Sequence, residues 1–303
     1  MQPISNYFSK PSIAFDSFIT RFCKWLPDIL FLKIRYRLNK GSWPNLKNPQ
    51  LFSEKIQWLK LYNHKPEYSK MVDKYEVKEY VSSIIGEKYV IPTLGIWDNP
   101  DDIDWEELPR QFVLKTTNGG GSCGVIICKD KRLLNKDETL KKLKYSMKGS
   151  IYESYREWPY KNVKARIIAE QYMEGDNGSL DDYKFSCFDG RANDVMVCFD
   201  RGSGDTKFYF FDKDWNLLPL NIRGKNAPHD FTLPKPSCMD EMFEIAGKLS
   251  SGLPYARIDL YAVKGRPYFG EITFFPASGF DKNLLLETEK LHGSMIKLPV
   301  KMI

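Results

Sequence analysis

The feature that most constrains this chain is a run of glycines set between two apolar segments of strand character. Phe112-Val113-Leu114-Lys115 and Val125-Ile126-Ile127-Cys128 read as strands, joined through Asn118-Gly119-Gly120-Gly121-Ser122-Cys123-Gly124. Literally, Gly119, Gly121 and Gly124 spell G-x-G-x-x-G. A dinucleotide fingerprint of that spelling must open a helix whose N-terminus receives a pyrophosphate, and this one opens a strand. No Lys-Ser or Lys-Thr follows the last glycine, so the P-loop spelling fails as well. What remains is a flap between strands. Without Cβ atoms, its backbone N–H groups can approach phosphate oxygens closely. Lys115, on the strand leading in, is placed to add a cation to the same phosphates. The plain alternative is a flexible hairpin loop without function.

The second feature is a pair of short ionic motifs, Arg257-Ile258-Asp259 and Glu271-Ile272-Thr273, in two strands joined across Lys264-Gly265-Arg266. Strand alternation points Arg257, Asp259 and Tyr261 to one face, and Glu271 with Thr273 to one face of the partner. Carboxylates facing one another across a hairpin repel unless a cation sits between them. Hard oxygen ligands of this kind suit Mg²⁺ bound jointly with substrate phosphates. Arg257 would then hold a phosphate oxygen. The alternative is an exposed cross-strand pair with Arg257 as counter-ion.

Composition excludes much else. The chain has 303 residues, 42% hydrophobic and 28% charged, which is ordinary for a globular protein with one large domain or two modest ones. It holds no run of 18 apolar residues, and its start lacks the pattern of a signal peptide, so a cytoplasmic location is expected. Six scattered cysteines without a C-x-x-C pair predict reduced, mostly buried thiols, and three isolated histidines show no zinc spacing. No G-x-S-x-G elbow supports a hydrolase. The net charge of +6 is concentrated in residues 21–40, where six basic residues face the single Asp28. No nucleic-acid-binding module accompanies it, so no nucleic acid is expected as partner. A basic, aromatic-rich helical segment broken near Pro27 fits weak contact with an anionic membrane at its inner face, or else an ordinary solvated helix face.

The first ~70 residues read as mostly helical, with Ser53 as a cap, followed by a helix over residues 73–84 and a short strand over 89–91 closed by Pro92. Strands dominate from Gln111 onward, so the chain reads as α+β with a helical front end.

Together, the glycine flap with its preceding lysine, R-x-D, and E-x-T followed by Phe274-Phe275-Pro276-Ala277-Ser278-Gly279 resemble the ATP-grasp fold. The chain is most similar to the TupA-like ATP-grasp family of bacterial envelope-polysaccharide loci. That texture continues in Phe52-Ser53-Glu54-Lys55-Ile56-Gln57-Trp58-Leu59-Lys60-Leu61-Tyr62, Asp73-Lys74-Tyr75, Arg156-Glu157-Trp158-Pro159-Tyr160-Lys161, Asp182-Tyr183-Lys184-Phe185 and Phe188-Asp189-Gly190. The resemblance implies two α+β subdomains clamping ATP, here residues 73–165 with the flap and 166–303 with an adenine hinge and metal site, preceded by a helical region over 1–72. It implies ATP and Mg²⁺ as cofactors. Lys74 and Lys115 would hold the nucleotide phosphates, with Gly120, Gly121 and Ser122 closing over them. Glu170, Gln171 and Tyr172 match the adenine hinge, and Asp182 the ribose side. Asp259 and Glu271 match the Mg²⁺ ligands, with Thr273 where many relatives have Asn, and Arg257 faces the transferred phosphoryl group.

The chemistry so implied is carboxylate activation through an acyl phosphate, then amide formation on a uronic acid or similar acid of a capsular or cell-wall glycan. The partners are a small-molecule or glycan carboxylate and an amine. The rival is a sugar-nucleotide glycosyltransferase using Asp102-Ile103-Asp104 or Asp212-Lys213-Asp214 as D-x-D; a non-catalytic carbohydrate-recognition protein is a third reading.

Overall fold

Alternation along the longest strands sorts their side chains into an apolar face and an ionic one, and this arranges the molecule. The computed structural model describes residues 11–121, 123–175, 180–199 and 206–301. In it, β5 (Asp182–Phe188) turns Tyr183, Phe185 and Cys187 into the main core. Asp182, Lys184 and Ser186, the intervening residues, line a cleft on the other face. β9 (Tyr255–Val263) alternates likewise, with Ile258 and Leu260 in the core and Arg257, Asp259 and Tyr261 on the cleft. With β6 (Arg191–Phe199), β7 (Lys207–Phe211), β8 (Leu217–Leu218) and β10 (Arg266–Thr273) they form a six-stranded antiparallel sheet, order β10-β9-β5-β6-β7-β8. The β9–β10 hairpin turns on Lys264 and Gly265, both at positive φ (51° and 70°), the primed geometry that matches strand twist.

Helix α9 (Met239–Leu249) covers the apolar face with Met242, Phe243, Ile245 and Ala246; the rings of Phe243 and Phe185 meet edge-on at 4.9 Å. Met242, Phe243 and Ile245 each contribute about 1.5–3 kcal/mol when fully buried. Four of the six cysteines (Cys128, Cys187, Cys198, Cys238) are buried, and all six are free thiols.

A smaller antiparallel sheet, order β1-β4-β2-β3, comprises β1 (Thr93–Trp97), β2 (Phe112–Thr116), β3 (Val125–Cys128) and β4 (Ile167–Gln171). Phe112, Leu114, Ile167 and Ala169 pack with Leu143 of α6 (Lys136–Met147). Val113, Lys115 and Glu170 line the cleft instead. Two expectations are corrected here. The strand expected at 89–91 does not form: Tyr89 ends a 3₁₀ turn (Glu87–Tyr89), and β1 begins after Pro92, where a missing N–H costs no ladder bond. The expected boundary at 165/166 cuts ahead of β4, yet β4 is hydrogen-bonded into the small sheet through β1 and β2.

The helical front end holds α1 (Pro11–Phe22), α2 (Asp28–Lys40), α3 (Phe52–Tyr62) and α4 (Glu67–Val72), with α5 (Val77–Ile85) following; residues 1–10 lie outside the described residues. Helix α3 starts at Phe52 with Leu51 as its N-cap, so Ser53 is not the cap: its hydroxyl pairs with Tyr36 at 3.0 Å. Glu54 accepts the backbone N–H groups of Asn45, Gln50 and Leu51 instead. Among the described residues, no helix is long and apolar enough to cross a membrane.

The six basic residues of 21–40 do not form one solvated face. Arg35 is buried, gripping Asp16 with two hydrogen bonds (2.7 and 3.0 Å) and the Ser154 carbonyl with a third. Lys40 pairs with Glu289 at 2.6 Å and Lys24 with Glu153 at 2.6 Å. Removing one partner from a buried pair strands the other, so Arg35→Gln is expected to lower unfolding free energy by about 3 kcal/mol. Lys33→Gln and Arg37→Gln stay within about 0.5 kcal/mol of wild type, as surface changes do. Equilibrium urea unfolding measures all three; equally small effects would mean that the Arg35–Asp16 pair contributes nothing.

Candidate active site

The cleft lies between the two sheets and has a volume of about 2180 Å³. A single small-molecule site usually occupies roughly 300–1,000 Å³, so there is room for more than one molecule. Lys74, Lys115, Gly120, Gly121, Glu170, Gln171, Tyr172, Asp182, Arg257, Asp259, Glu271 and Thr273 all line it. Residues far apart in sequence are thus brought to one space. Ser122 lies outside the described residues.

On the small-sheet side, the turn after β2 closes when Thr116 N–H donates to the Gly124 carbonyl at 3.1 Å. Gly124 sits at φ +72°, and a Cβ there would stand 2.4 Å from the Thr116 hydroxyl, so only glycine closes the flap. Lys74 donates its ammonium to the Gly119 carbonyl, linking the flap to the segment before α5. Asp73 accepts the backbone N–H groups of Tyr75 and Glu76 and pairs with Arg166 at 2.9 Å, which fixes the turn that aims Lys74.

Glu170, only 5% exposed, receives Lys115 on one oxygen (2.5 Å) and Lys78 on the other (2.6 Å). Burial alone would raise its pKa, but the two ammonium groups outweigh burial and hold the carboxyl below its ordinary value. Burial pushes the Lys78 ammonium down in turn. The Glu170 side chain is therefore occupied in positioning Lys115. Lys78 escaped the sequence argument although it stands four residues beyond Lys74.

On the large-sheet side, Asp259 is 3% exposed and held by Arg257 through two hydrogen bonds (2.7 and 2.8 Å) and by Lys184. Lys184 also reaches Asp182 at 2.5 Å. Burial raises the Asp259 pKa and the two cations more than reverse this, leaving it low; Arg257 and Lys184 are raised by Asp259 against the opposing effect of burial. The counter-ion alternative read from the sequence is therefore realised in part, and Lys184 is the residue that reading missed. Its signal was there: it alternates with Asp182 on one face of β5. Glu271 stands opposite Asp259 in register because β10 bulges at Gly270, and Thr273 stands opposite Arg257. The Thr273 hydroxyl accepts from Arg257 at 3.1 Å and donates to Glu271 at 3.4 Å.

Asp259, Glu271 and Thr273 thus present two carboxylates and a hydroxyl to one space. Among the described residues no group of three or more His, Cys, Asp and Glu is arranged to hold a metal. Two carboxylates with substrate phosphates are nonetheless what Mg²⁺ ordinarily uses, so these donors fit it. The D-x-D pairs are elsewhere. Asp104 and Asp212 each accept backbone N–H groups of their own turns, and neither pair lines the cleft.

A group whose folded pKa is lowered stabilises the fold above its unfolded pKa and loses that contribution as pH falls through the folded value. Glu170 is such a group. Wild type should lose stability more steeply than Glu170→Gln as pH falls below roughly 4.3, the ordinary carboxyl value. At pH 7 Glu170→Gln should be less stable by about 3 kcal/mol, with two buried cations stranded. Denaturant unfolding across pH measures this; parallel curves would remove the cluster as a source of stability.

The model of the TupA-like ATP-grasp family matches residues 54–297. No curated protein matches the chain. Similar solved structures include a D-alanine–D-alanine ligase from Bacillus anthracis complexed with ATP (17% identity, 75% of this chain, 63% of that chain, TM-score 0.44). Another is the D-alanine–D-alanine ligase from Helicobacter pylori (20%, 82% and 69%, 0.42). An L-amino acid ligase from Bacillus licheniformis is a third (14%, 75% and 49%, 0.46). The chain thus spans less than two thirds of the first of these. With most of its length matched by one family model, from before the flap to beyond the paired carboxylates, the chain belongs to the TupA-like ATP-grasp family.

Proposed function

We propose that the protein is an ATP-dependent carboxylate–amine ligase that forms an amide through an acyl phosphate. The observation that carries this is the opposition, across one cleft, of Lys74, Lys115 and the glycine flap to Arg257, Asp259 and Glu271. One side offers cations and exposed backbone to phosphates; the other offers hard oxygen donors and a fixed guanidinium. Lys115, braced by Glu170, and Lys74 bind the phosphate chain, with Gly120 and Gly121 above it; Ser122, expected to join them, lies outside the described residues. The backbone of Gln171 and Tyr172 takes the adenine, and Asp182 the ribose side. Asp259, Glu271 and Thr273 hold Mg²⁺, which when bound neutralises phosphate charge and polarises the transferred group. Arg257 faces that group and keeps Asp259 ionised. The substrate carboxylate attacks the γ-phosphorus, ADP leaves, and an amine displaces phosphate from the acyl carbon. This chemistry needs positioning and charge neutralisation rather than a covalent nucleophile.

The acid is a hexuronic or similar acid of a capsular or cell-wall glycan, an assignment that rests on the family resemblance. The test is ADP release from ATP and Mg²⁺ with D-glucuronate and D-galacturonate, crossed with glycine, L-alanine, L-serine, L-lysine and ethanolamine, with products read by mass spectrometry. Hydroxylamine should trap a hydroxamate only when ATP, Mg²⁺ and acid are all present. Loss of a metal ligand removes several kcal/mol of stabilisation, so Asp259→Asn or Glu271→Gln should lower turnover by about 10³-fold or more. Wild-type turnover in either variant would discard this metal site, and no ADP with any acid would discard the ligase.

The protein works in the cytoplasm, in weak contact with the inner face of the membrane through its front end. Phe15, Phe18, Phe22 and Trp25 are 49–78% exposed there, Arg21 lies 5.5 Å from the Phe22 ring, and Lys33 and Arg37 are carried by α2. Each such cation near an anionic leaflet contributes about 1 kcal/mol, screened by salt. Co-sedimentation with phosphatidylserine-containing vesicles should occur at low salt, weaken at high salt, and be lost in the Lys33→Gln/Arg37→Gln variant. No binding at low salt would leave an ordinary solvated face.

A further inference from the structure

Beyond the metal carboxylates the cleft continues to a buried acid that the chemistry above does not use. Glu157 is 9% exposed and lines the cleft with Tyr160, Ser278 and Glu271. Two strained segments converge on it. Arg156, immediately before it, is held at φ 55°, and the surroundings over-determine that conformation. Its guanidinium is ion-paired with Asp28 at 2.8 Å, donates to the carbonyls of Glu153 and Lys24 at 2.6 Å, and lies 4.1 Å over the Phe31 ring. From the other side, Ala277 and Ser278 adopt φ 47° and 55°, followed by Gly279 at φ 76°. Helix α3 clamps this turn. Gln57 donates to the Ser278 carbonyl at 3.0 Å, and Lys60 donates to the same carbonyl at 2.9 Å and to the Ser278 hydroxyl at 2.5 Å. Ser278 and Glu157 line the same part of the cleft. Non-glycine residues in this region cost about 1–3 kcal/mol each and persist mainly where surrounding structure serves a site.

The charges around Glu157 are Lys60, Glu271 and Arg35. Arg35 is taken by Asp16. Lys60 is buried, which lowers its pKa, and its ammonium already donates to the Tyr155 carbonyl and to the Ser278 carbonyl and hydroxyl. Burial meanwhile raises the Glu157 carboxyl. A carboxylate in this setting, open to a cleft with room for a second substrate, is suited to an incoming cation.

We propose that Glu157 forms the ammonium end of the amine subsite and takes the first proton from the amine substrate. This rests on the ligase reading. The ammonium gives one proton to Glu157, and the freed nitrogen lone pair forms the C–N bond at the acyl carbon. The C–O bond to phosphate breaks with its electron pair on phosphate, which takes the second N–H proton. Amide, hydrogen phosphate and protonated Glu157 result. The substrate class is a primary amine that is cationic in solution.

Hydroxylamine separates this role from a structural one, because it is largely unprotonated at neutral pH and needs no base. With an acid that turns over in the screen, Glu157→Gln should lower kcat/KM for the amine by about 100-fold or more, the usual worth of a placed proton acceptor. Hydroxamate formation should change by less than about 3-fold, within the range of a minor positional effect. The double variant Lys60→Met/Glu157→Gln removes both buried charges, guarding against a fold defect from stranding Lys60, and should remain equally poor with amines. Thermal unfolding of each variant is followed in parallel. Amide synthesis restored in the double variant would assign Glu157 a structural pairing role and overturn the proposal, as would equal loss of amide and hydroxamate. Hydroxamate without amide from any of the five amines, in wild type, would overturn the subsite while leaving the ligase standing. No ADP with any acid would remove the ligase itself.

Discussion

A carboxylate with almost no exposure cannot stay ionised alone, and the arrangement of this molecule follows from how Asp259 does so. Arg257, two residues away on the same strand face, and Lys184, on the neighbouring strand, both donate to it. Their attraction exceeds the desolvation that would otherwise protonate it. The result is a sheet with one apolar and one ionic face. The apolar face anchors the core under α9; the ionic face has to look into a space that water or charged ligands can enter. The second sheet closes that space rather than covering the charges with hydrocarbon. The same solution recurs opposite, where Glu170 holds Lys115 and Lys78. Each wall of the cleft is thus built from a buried acid that fixes two cations.

Much of this was legible beforehand. The flap between two strands, the R-x-D strand and its hairpin partner are local patterns, and the structure gathers their residues on one cleft. What escaped is what depends on pairing between distant segments. Nothing local says that Lys184 meets Asp259, since their strands are joined only by sheet register. Glu170 as a clamp for two lysines was hidden for the same reason. The boundary at 165/166 failed because β4 follows α6 and α7 (Ile151–Tyr155) in sequence yet inserts between β1 and β2. The basic front end misled through composition, which counts Arg35 with its neighbours although Asp16 draws it inside.

Helix α3 joins front end to cleft. It is buried along most of its length, and polar positions that would ordinarily face solvent, Gln57 and Lys60, instead hold the Ser278 turn. Its first turn is tied to α10 (Leu286–Met295) where Ser53 N–H donates to Glu289 at 2.8 Å. The helical region is therefore part of the wall of the site rather than an appendage to it.

The bulge at Gly270 has a consequence for how the site can change. A strand works as a two-phase code, each residue assigned by parity to one face, and a bulge is a phase slip. Phe269 and Glu271 share parity, yet Phe269 is in the core and Glu271 on the cleft, because the slip lies between them. The residue at the slip cannot carry a Cβ freely, as one would stand 2.9 Å from the Asp259 carbonyl oxygen. Side-chain replacements elsewhere in β10 leave the code in frame. Ironing the bulge out with Gly270 paired as an ordinary strand residue would instead restore uniform parity, sending Phe269 toward the phosphates or Glu271 into hydrocarbon. For this protein the register of that strand is as much a part of the active site as charge.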